Sequence, residues 1–444
     1  MATLNTSTVR ELNNLIEFRQ TVYEQILVGA RDAQFELMDA LLLSDHPRCF
    51  AEVSLSPAFR RGWSSAYGAI AEGSQDQPQM SRCFLRQVPR QGVQVFPLDT
   101  TVWPHPSART LSGLVYAPSP TKALKQHSIV QGHIYSLLTW TPSPGQSWSP
   151  TLFNQRLQPE QKAIEVGAAQ VRQLCQARPD PTQQGLDVIV TDGHYGNHHF
   201  LGRVKGLACA ILSRLRCDRV LYLAPGPYQG RGRPAVHGAR FAFKDPETWP
   251  EPLEQVEFSH AHWGQVRLRR WSNLHAKQDS QTNFEVILAE VHRERPKPPD
   301  PLWLGYLPGH QDYPLQQVWS WFDFRWPIEP SIRFRKQYLA WTLPYFQTSQ
   351  ACDRWSNLVE MAYWQVFLAR QLGSDQPLPW QKAQVCLTPG RVRRSIGAIF
   401  SQIGTPAQPP KTRGKSPGWP KGRTRRRPQR YKPTKRTRKK VKST

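Results

Sequence analysis

The chain has 444 residues, which at about 150 residues per domain predicts roughly three domains. Its 58 Lys and Arg residues outnumber its 33 Asp and Glu residues, so the formal net charge is +25. This balance disfavours an acidic scaffold and predicts a polyanionic partner, with nucleic acid ranked ahead of an anionic membrane surface. No apolar run approaches the ~18 residues of a membrane span, so the composition excludes a membrane-spanning protein.

The basic excess is concentrated in residues 405–444, which contain 16 Lys or Arg residues and no acid. The first 404 residues contain the other 42 basic residues and all 33 acidic ones, so they are basic as well. The tail is too poor in apolar groups to offset the entropy of ordering. We therefore predict that residues 405–444 are disordered and bind nucleic-acid phosphates without reading bases, with an affinity that falls steeply with salt.

The cysteines are odd in number, scattered and without any Cys-x-x-Cys pair: Cys49, Cys83, Cys175, Cys209, Cys217, Cys352 and Cys386. This pattern predicts reduced thiols in a cytosol, and it favours neither a disulfide framework nor a zinc site. The polar and acidic residues from Met1 to Glu11 predict no signal peptide.

Residues 1–90 show helical periodicity, and we predict that they form a DNA-binding region. Thr8 and Glu11 have the spacing of a capping box, and a second helix is predicted over Asp32–Leu43. Ser56-Pro57 has the pattern of a third helix start. That helix would be either a DNA-reading helix or, as we favour, a solvated basic face, and it would carry Arg60, Arg61, Trp63 and Tyr67.

Residues 91–225 predict a strand and helix order of β-β-β-α-β-α-β. Strands are predicted over Val93–Asp99, Thr110–Ala117, Gln126–Trp140, Leu186–Asp192 and Arg219–Ala224. One helix is predicted to follow Pro159. A second is capped by Asn197 and has apolar residues at helical spacing, namely Phe200, Val204, Leu207 and Ile211.

We predict an inserted β-rich unit over residues 226–310 and a helical region over residues 311–404. The basic tail follows over residues 405–444. Two interpretations are open for Trp271 in the insertion. It either stacks on an unpaired base while Arg267, Arg269 and Arg270 bind the DNA backbone, or it is a core residue with outward-facing arginines.

Two acidic residues lie where predicted strands end. Asp99 ends the first strand of the sheet, and Asp192 ends the first strand after the first helix. A right-handed crossover can place these strands side by side, so that both carboxylates share one sheet edge. Such a pair suits Mg²⁺, which binds carboxylates together with phosphate oxygens. Each Asp taken alone is also explained as a turn cap, as in Asp192-Gly193.

A third acid, Glu329, lies in a segment with spaced cations. Phe322 and Arg325 precede it by seven and four residues, and Lys336 follows it by seven. At 100° per residue these four side chains fall on one narrow helical face. Two prolines, Pro327 and Pro330, predict a break, with a new helix starting near Trp326 and Glu329 in its first turn.

These residues resemble the DDE transposases of bacterial insertion sequences, in particular the group marked by Tyr-(2)-Arg-(3)-Glu-(6)-Lys. Phe322, Arg325, Glu329 and Lys336 match that spacing, with Phe322 in place of Tyr, so the aromatic ring is retained and the hydroxyl is lost. The resemblance covers roughly residues 90–372, including Arg354–Leu358 and Leu368–Arg370. It implies a ribonuclease-H-like α/β fold, with a mixed sheet flanked by helices and a β-rich insertion between Asp192 and Glu329.

The resemblance also implies a function. Asp99, Asp192 and Glu329 would bind two Mg²⁺ ions, which Mn²⁺ could replace, and Arg325 and Lys336 would contact DNA phosphates. The protein would cut the ends of an insertion sequence and join them to target DNA, acting as a homodimer on double-stranded DNA in the cytoplasm of a bacterium, associated with the nucleoid. Two alternatives remain: a catalytically inactive, transposase-derived DNA-binding protein, and a metal-dependent nuclease without strand transfer.

Overall fold

The computed structural model describes residues 6–118, 129–179, 184–228, 230, 232–292, 300–412, 418, 421–422, 424 and 427–435. Its N-terminal region is helical, as predicted, and consists of α1 (Thr6–Thr21), a π-helical turn (Val22–Ile26), β1 (Leu27–Gly29), α2 (Arg31–Leu43), α3 (Phe50–Val53), α4 (Trp63–Glu72), β2 (Ser74–Gln75) and α5 (Gln77–Arg86). The capping box is wrong, because α1 already includes Thr6 and Thr8 therefore lies inside the helix.

The helix predicted to open at Ser56-Pro57 is also wrong, because α4 begins only at Trp63. Arg60 and Arg61 lie in the loop before it and both pair with the buried carboxylate of Glu36, at 2.7 Å and 3.1 Å. A buried carboxylate requires such partners, so the basic pair holds this loop against α2 and forms no DNA-reading helix.

A mixed sheet of twelve strands forms the centre of the described structure. Its strands are β3 (Gly92–Pro104), β4 (Val115–Pro118), β5 (Ile129–Thr139), β6 (Thr151–Arg156), β7 (Gly185–Thr191), β8 (Ala210–Leu215), β9 (Val220–Tyr222), β10 (Arg240–Ala242), β11 (Glu254–His260), β12 (Gly264–Ala276), β13 (Asp279–His292) and β14 (Leu302–Leu307). The spatial order is β10-β9-β12-β13-β14-β8-β7-β3-β5-β4, with β11 paired to β12 and β6 to β5.

The central part of this sheet has the predicted mixed character. Strands β3, β7 and β8 are parallel neighbours, and β5 runs antiparallel between β3 and β6. The apolar run of β7 is buried because helices cover the sheet, among them α6 (Ala163–Ala177) and α7 (His198–Val204). This order is consistent with a ribonuclease-H-like core.

The prediction missed β6 and extended one helix too far. Asn197 does cap α7, accepting a hydrogen bond from the backbone N–H of Phe200 at 3.2 Å. The helix nevertheless ends at Val204, and Gly206 follows with a φ of +75°. Residues 210–215 form β8, because their nearly continuous apolar run is buried between β7 and β14. The predicted strand residues Gln126–Ser128 lie outside the described residues.

The insertion is β-rich, as predicted, and its strands extend the core sheet through the pairing of β14 with β8. Trp271 is only 2% exposed and donates its indole N–H to the Pro250 carbonyl at 2.8 Å. It packs within an aromatic cluster with Phe241, Trp249 and Trp303. Base stacking by Trp271 is therefore contradicted, and the core interpretation is correct.

The arginines beside Trp271 are paired within the protein. Arg270 is largely buried, forms two hydrogen bonds with Glu285 at 2.8 Å and 3.0 Å, and also pairs with Glu254 and Asp312. Arg269 pairs with Glu290 at 2.9 Å and lies over the Trp271 ring. Acids on neighbouring strands therefore pair with both guanidinium groups, so the structure does not support the predicted DNA contacts of Arg269 and Arg270, which stay a prediction.

The C-terminal helices are α8 (Leu315–Ser320), a 3₁₀ segment (Trp321–Arg325), α9 (Ile328–Tyr338), α10 (Ser349–Leu368), a second 3₁₀ segment (Ala369–Gln371) and α11 (Pro389–Ile403). The predicted break at Pro327 is confirmed. Helix α10 is buried along almost its whole length, because it packs between the N-terminal helices and β6. Within the described chain, no helix has the length and apolarity needed to span a membrane.

The predicted disorder of residues 405–444 is wrong for two short stretches of the tail, residues 405–408 and 431–434. Ala407 is buried, and the Gln408 N–H donates to Asp32 on α2 at 2.9 Å. Further along, Tyr431 N–H donates to the Arg109 carbonyl at 2.8 Å, and residue 434 forms a parallel bridge with β4. Backbone hydrogen bonds of this kind need no apolar side chain, so composition did not predict them. Residues 413–417, 419–420, 423, 425–426 and 436–444 lie outside the described residues.

Candidate active site

Parallel pairing of β3 and β7 brings the two predicted strand-end acids together. The register aligns Leu98 with Thr191, so Asp99 and Asp192 follow neighbouring positions at the same sheet edge. One Asp99 oxygen accepts the Thr100 N–H at 2.7 Å. One Asp192 oxygen accepts the His194 N–H at 3.0 Å, which is the turn-capping contact considered for this residue. Each carboxylate retains a second oxygen, so turn capping does not preclude a metal-binding role.

Glu329 joins this pair from the first turn of α9. The Arg325 guanidinium lies between the elements: one Nη donates to Glu329 Oε1 at 2.7 Å, and the other is 3.9 Å from Asp99 Oδ2. The Glu329 side chain is 49% exposed, whereas those of Asp99 and Arg325 are about one-fifth exposed. The Arg325 guanidinium therefore links Asp99 of β3 to the start of α9. The site is open enough for a large substrate to reach it.

The electrostatics of Asp99 reflect its burial and the two neighbouring acids. Burial raises the pKa of Asp99 to about 6, with further raising contributions from Asp192 and Glu329. The hydrogen bond from Thr100 and the charge of Arg325 oppose this shift of the Asp99 pKa. The carboxylate oxygens of the three acids do not all lie within 4.8 Å of one another, and the Arg325 guanidinium lies between those of Asp99 and Glu329.

Lys336 lies two turns further along α9 and contacts β3. Its Nζ donates to Thr101 Oγ1 at 2.7 Å and to the Val102 carbonyl at 2.9 Å. Burial lowers the Lys336 pKa to about 8. The amine therefore holds α9 against the strand that carries Asp99, a role that its spacing in the sequence did not indicate.

The sequence analysis missed a buried hydrogen-bond network around Arg335. Arg335 on α9 is fully buried and donates to Glu360 of α10 at 2.8 Å, to Ser331 at 2.9 Å and to the Ser149 carbonyl at 2.8 Å. Its guanidinium also lies 4.1 Å from the centroid of the Tyr363 ring. The available signal was Glu360 itself, an acid within an otherwise apolar helical stretch.

The chain matches the family model of the DDE superfamily endonuclease over residues 23–275, more than half of its length. It belongs to the DDE superfamily endonucleases. Nuclease domains of this superfamily generally use divalent metal ions, which agrees with the acids at the strand ends. No curated protein matches the chain. The family match ends before Glu329, so the place of Glu329 in this endonuclease rests on the geometry of α9 and Arg325.

The side chains of the endonuclease fit a divalent metal. Asp99, Asp192 and Glu329 supply carboxylate oxygens, the ligands that Mg²⁺ and Mn²⁺ prefer. Binding of cations among these carboxylates would also relieve the repulsion that, after burial, contributes to the raised Asp99 pKa.

Asp99→Asn is expected to stabilise the endonuclease at about pH 7.5 and to have little effect at about pH 4. The folded-state pKa of Asp99, about 6, lies above the ordinary 3.8, so ionisation destabilises the folded state as pH rises through this interval. The expected gain near neutral pH is about 1–3 kcal/mol. Urea unfolding in a chelator at both pH values measures it. Asp218→Asn, which removes a surface carboxylate outside the cluster, should not reproduce the pH dependence, and equal gains at both pH values would contradict the explanation.

Proposed function

We propose that this protein is a DNA transposase that cuts the ends of an insertion sequence and joins them to target DNA. The observation that supports this most strongly is the convergence of Asp99, Asp192 and Glu329 from β3, the end of β7 and α9, with Arg325 between two of them. The family match supports nuclease chemistry, and strand joining is the part that we infer.

In this proposal, the three carboxylates hold two Mg²⁺ ions, and Mn²⁺ can replace them. When bound, the ions would activate a water or a DNA 3′-hydroxyl for attack and stabilise the leaving oxygen at the scissile phosphate. Arg325 orients Glu329 and supplies positive charge where a phosphate must approach. Lys336 fixes the distance between α9 and β3, and its charge adds to the attraction for DNA.

The proposed partner is double-stranded DNA, both the terminal repeats of the element and the target. The net charge of +25 favours association with phosphates. We assign recognition of the ends to residues 1–90, without naming base contacts. Joining two ends implies at least a homodimer at work. The proposed location is the bacterial cytoplasm, in association with the nucleoid.

Truncation after Lys435 is expected to weaken nonspecific DNA binding. It removes Arg436, Arg438, Lys439, Lys440 and Lys442 and spares the described contacts of Tyr431 and Thr434. The slope of log affinity against log salt should flatten by up to about 4.5, since each lost phosphate contact changes it by about 0.9. Heparin retention and a salt titration on random duplex DNA measure this. A full-length variant with these five residues replaced by Gln separates charge from length, and unchanged retention would contradict the assignment.

One assay tests the proposed function. Purified protein is incubated with labelled element ends, supercoiled target DNA and Mg²⁺ or Mn²⁺. Joined product supports the transposase. Nicking without joining supports the nuclease, which the family description favours as the second candidate. Binding without nicking would indicate the inactive DNA-binding protein, an interpretation that the missing hydroxyl at Phe322 keeps open.

A further inference from the structure

Apart from the carboxylate cluster, two histidines and a cysteine meet in the core. His105 directly follows β3, His133 lies on β5 and Cys352 lies near the start of α10. One potential ligand atom from each lies within 4.8 Å of the other two, and all three residues are buried. Across the described parts of the chain, this is the one group of three or more His, Cys, Asp and Glu residues that meets this spacing. Residues far apart in sequence therefore place nitrogen and sulfur donors around one point.

Two ring nitrogens of this group have no hydrogen-bond partner in the described structure, namely His105 Nε2 and His133 Nδ1. A buried polar atom left unpaired destabilises the folded state, so native proteins seldom leave one without a reason. The other nitrogen of His133, Nε2, is 2.9 Å from the Ser112 carbonyl oxygen. That hydrogen bond requires the proton on Nε2, which leaves a lone pair on the unpaired Nδ1. Metal-binding histidines commonly donate their second N–H to a carbonyl in this way.

We propose that His105, His133 and Cys352 bind a zinc-type divalent cation in a structural site that joins β3, β5 and α10. Two imidazoles and a thiolate are the donors that zinc prefers, unlike the all-oxygen set of the carboxylate cluster. Around a tetrahedral zinc ion, neighbouring ligand atoms are about 3.3–3.8 Å apart, so small side-chain rotations from the present spacing are sufficient. On binding, Cys352 releases its thiol proton to solvent and the sulfur forms the bond to the metal. This proposal does not depend on the transposase activity.

The experiment uses the full-length protein, purified without added metal or chelator. Elemental analysis is expected to find about one zinc per chain. After replacement of zinc by Co²⁺, a thiolate-to-cobalt charge-transfer band is expected, and only a cysteine ligand can produce it. Because carboxylates give no such band, the result is distinguishable from metal at Asp99, Asp192 and Glu329. Wild-type protein that contains no zinc and develops no band with Co²⁺ would overturn the proposal.

Two cysteine variants assign the ligand. Cys352→Ser is expected to lose the charge-transfer band and at least about nine-tenths of the zinc, whereas Cys83→Ser, which alters another buried cysteine, should retain both. Retention of the band in Cys352→Ser would overturn the assignment. If Cys352→Ser fails to fold, His133→Gln provides a second variant with the same expected loss of zinc, and the wild-type measurements remain decisive.

Discussion

Glu329→Gln is expected to lower metal-dependent nicking of element ends by several orders of magnitude and to leave binding to those ends near the wild-type affinity. The amide retains the size of the side chain and one oxygen, but it lacks the charge that a divalent cation requires. The ion pair with Arg325 is lost as well, so the guanidinium no longer orients residue 329. Nicking of labelled ends in Mg²⁺ and a binding assay in Ca²⁺ or chelator measure the two effects separately.

The matched control is Glu257→Gln, which removes another exposed carboxylate that pairs with an arginine, here Arg267. It should leave nicking within about twofold, because surface ion pairs contribute little. Near-normal nicking by Glu329→Gln would remove this residue from the site. Parallel loss of nicking and of end binding would indicate misfolding, which a thermal unfolding curve would reveal.

Glu360→Ala is expected to destabilise the protein by about 3–5 kcal/mol. Neither Arg335 nor Glu360 exposes any of its side chain, and the substitution leaves the Arg335 guanidinium buried without its counter-ion. Because Arg335 connects α9 to α10 and to the Ser149 carbonyl, the start of α9 should shift together with Glu329. Urea unfolding measures the loss of stability, and the nicking assay should show reduced activity even where the variant remains folded.

Two further variants distinguish the loss of the Arg335–Glu360 ion pair from nonspecific destabilisation of the core. The double variant Arg335→Met with Glu360→Leu should recover part of the stability, because no unpaired charge remains buried. Glu72→Ala, on the exposed face of α4, should change stability by no more than about 0.5 kcal/mol. A loss below about 1 kcal/mol in Glu360→Ala would show that the Arg335–Glu360 pair does not hold α9 in place.

Local patterns were sufficient where one dominant interaction determines the structure. The apolar runs ending at Asp99 and Asp192 were predicted as strands because burial on both faces leaves few alternatives. Pro327 placed the start of α9 because proline cannot donate to the preceding turn. Asn197 was identified as a helix cap for a similarly local reason.

Sequence patterns gave the wrong prediction where the same residues fit two different structures equally well. The apolar residues near Ile211 fit a helical face, yet they form β8 because two strand partners, β7 and β14, flank them. The aromatic and basic character of Trp271 and its neighbours suggested a DNA surface. Trp249, Trp303 and several acids on adjacent strands bury or pair them instead, and sequence distance conceals those partners.

The sequence by itself determined a basic α/β protein with three separated acids at strand ends and a helix start, because charge, strand periodicity and proline act over a few residues. Only the tertiary structure decided that Arg325 connects Asp99 with Glu329, that Lys336 and Arg335 hold α9 in place, and that His105, His133 and Cys352 converge. The physical reason is that ion pairing, burial and metal binding depend on distances in space. Only folding brings together residues that are far apart in sequence.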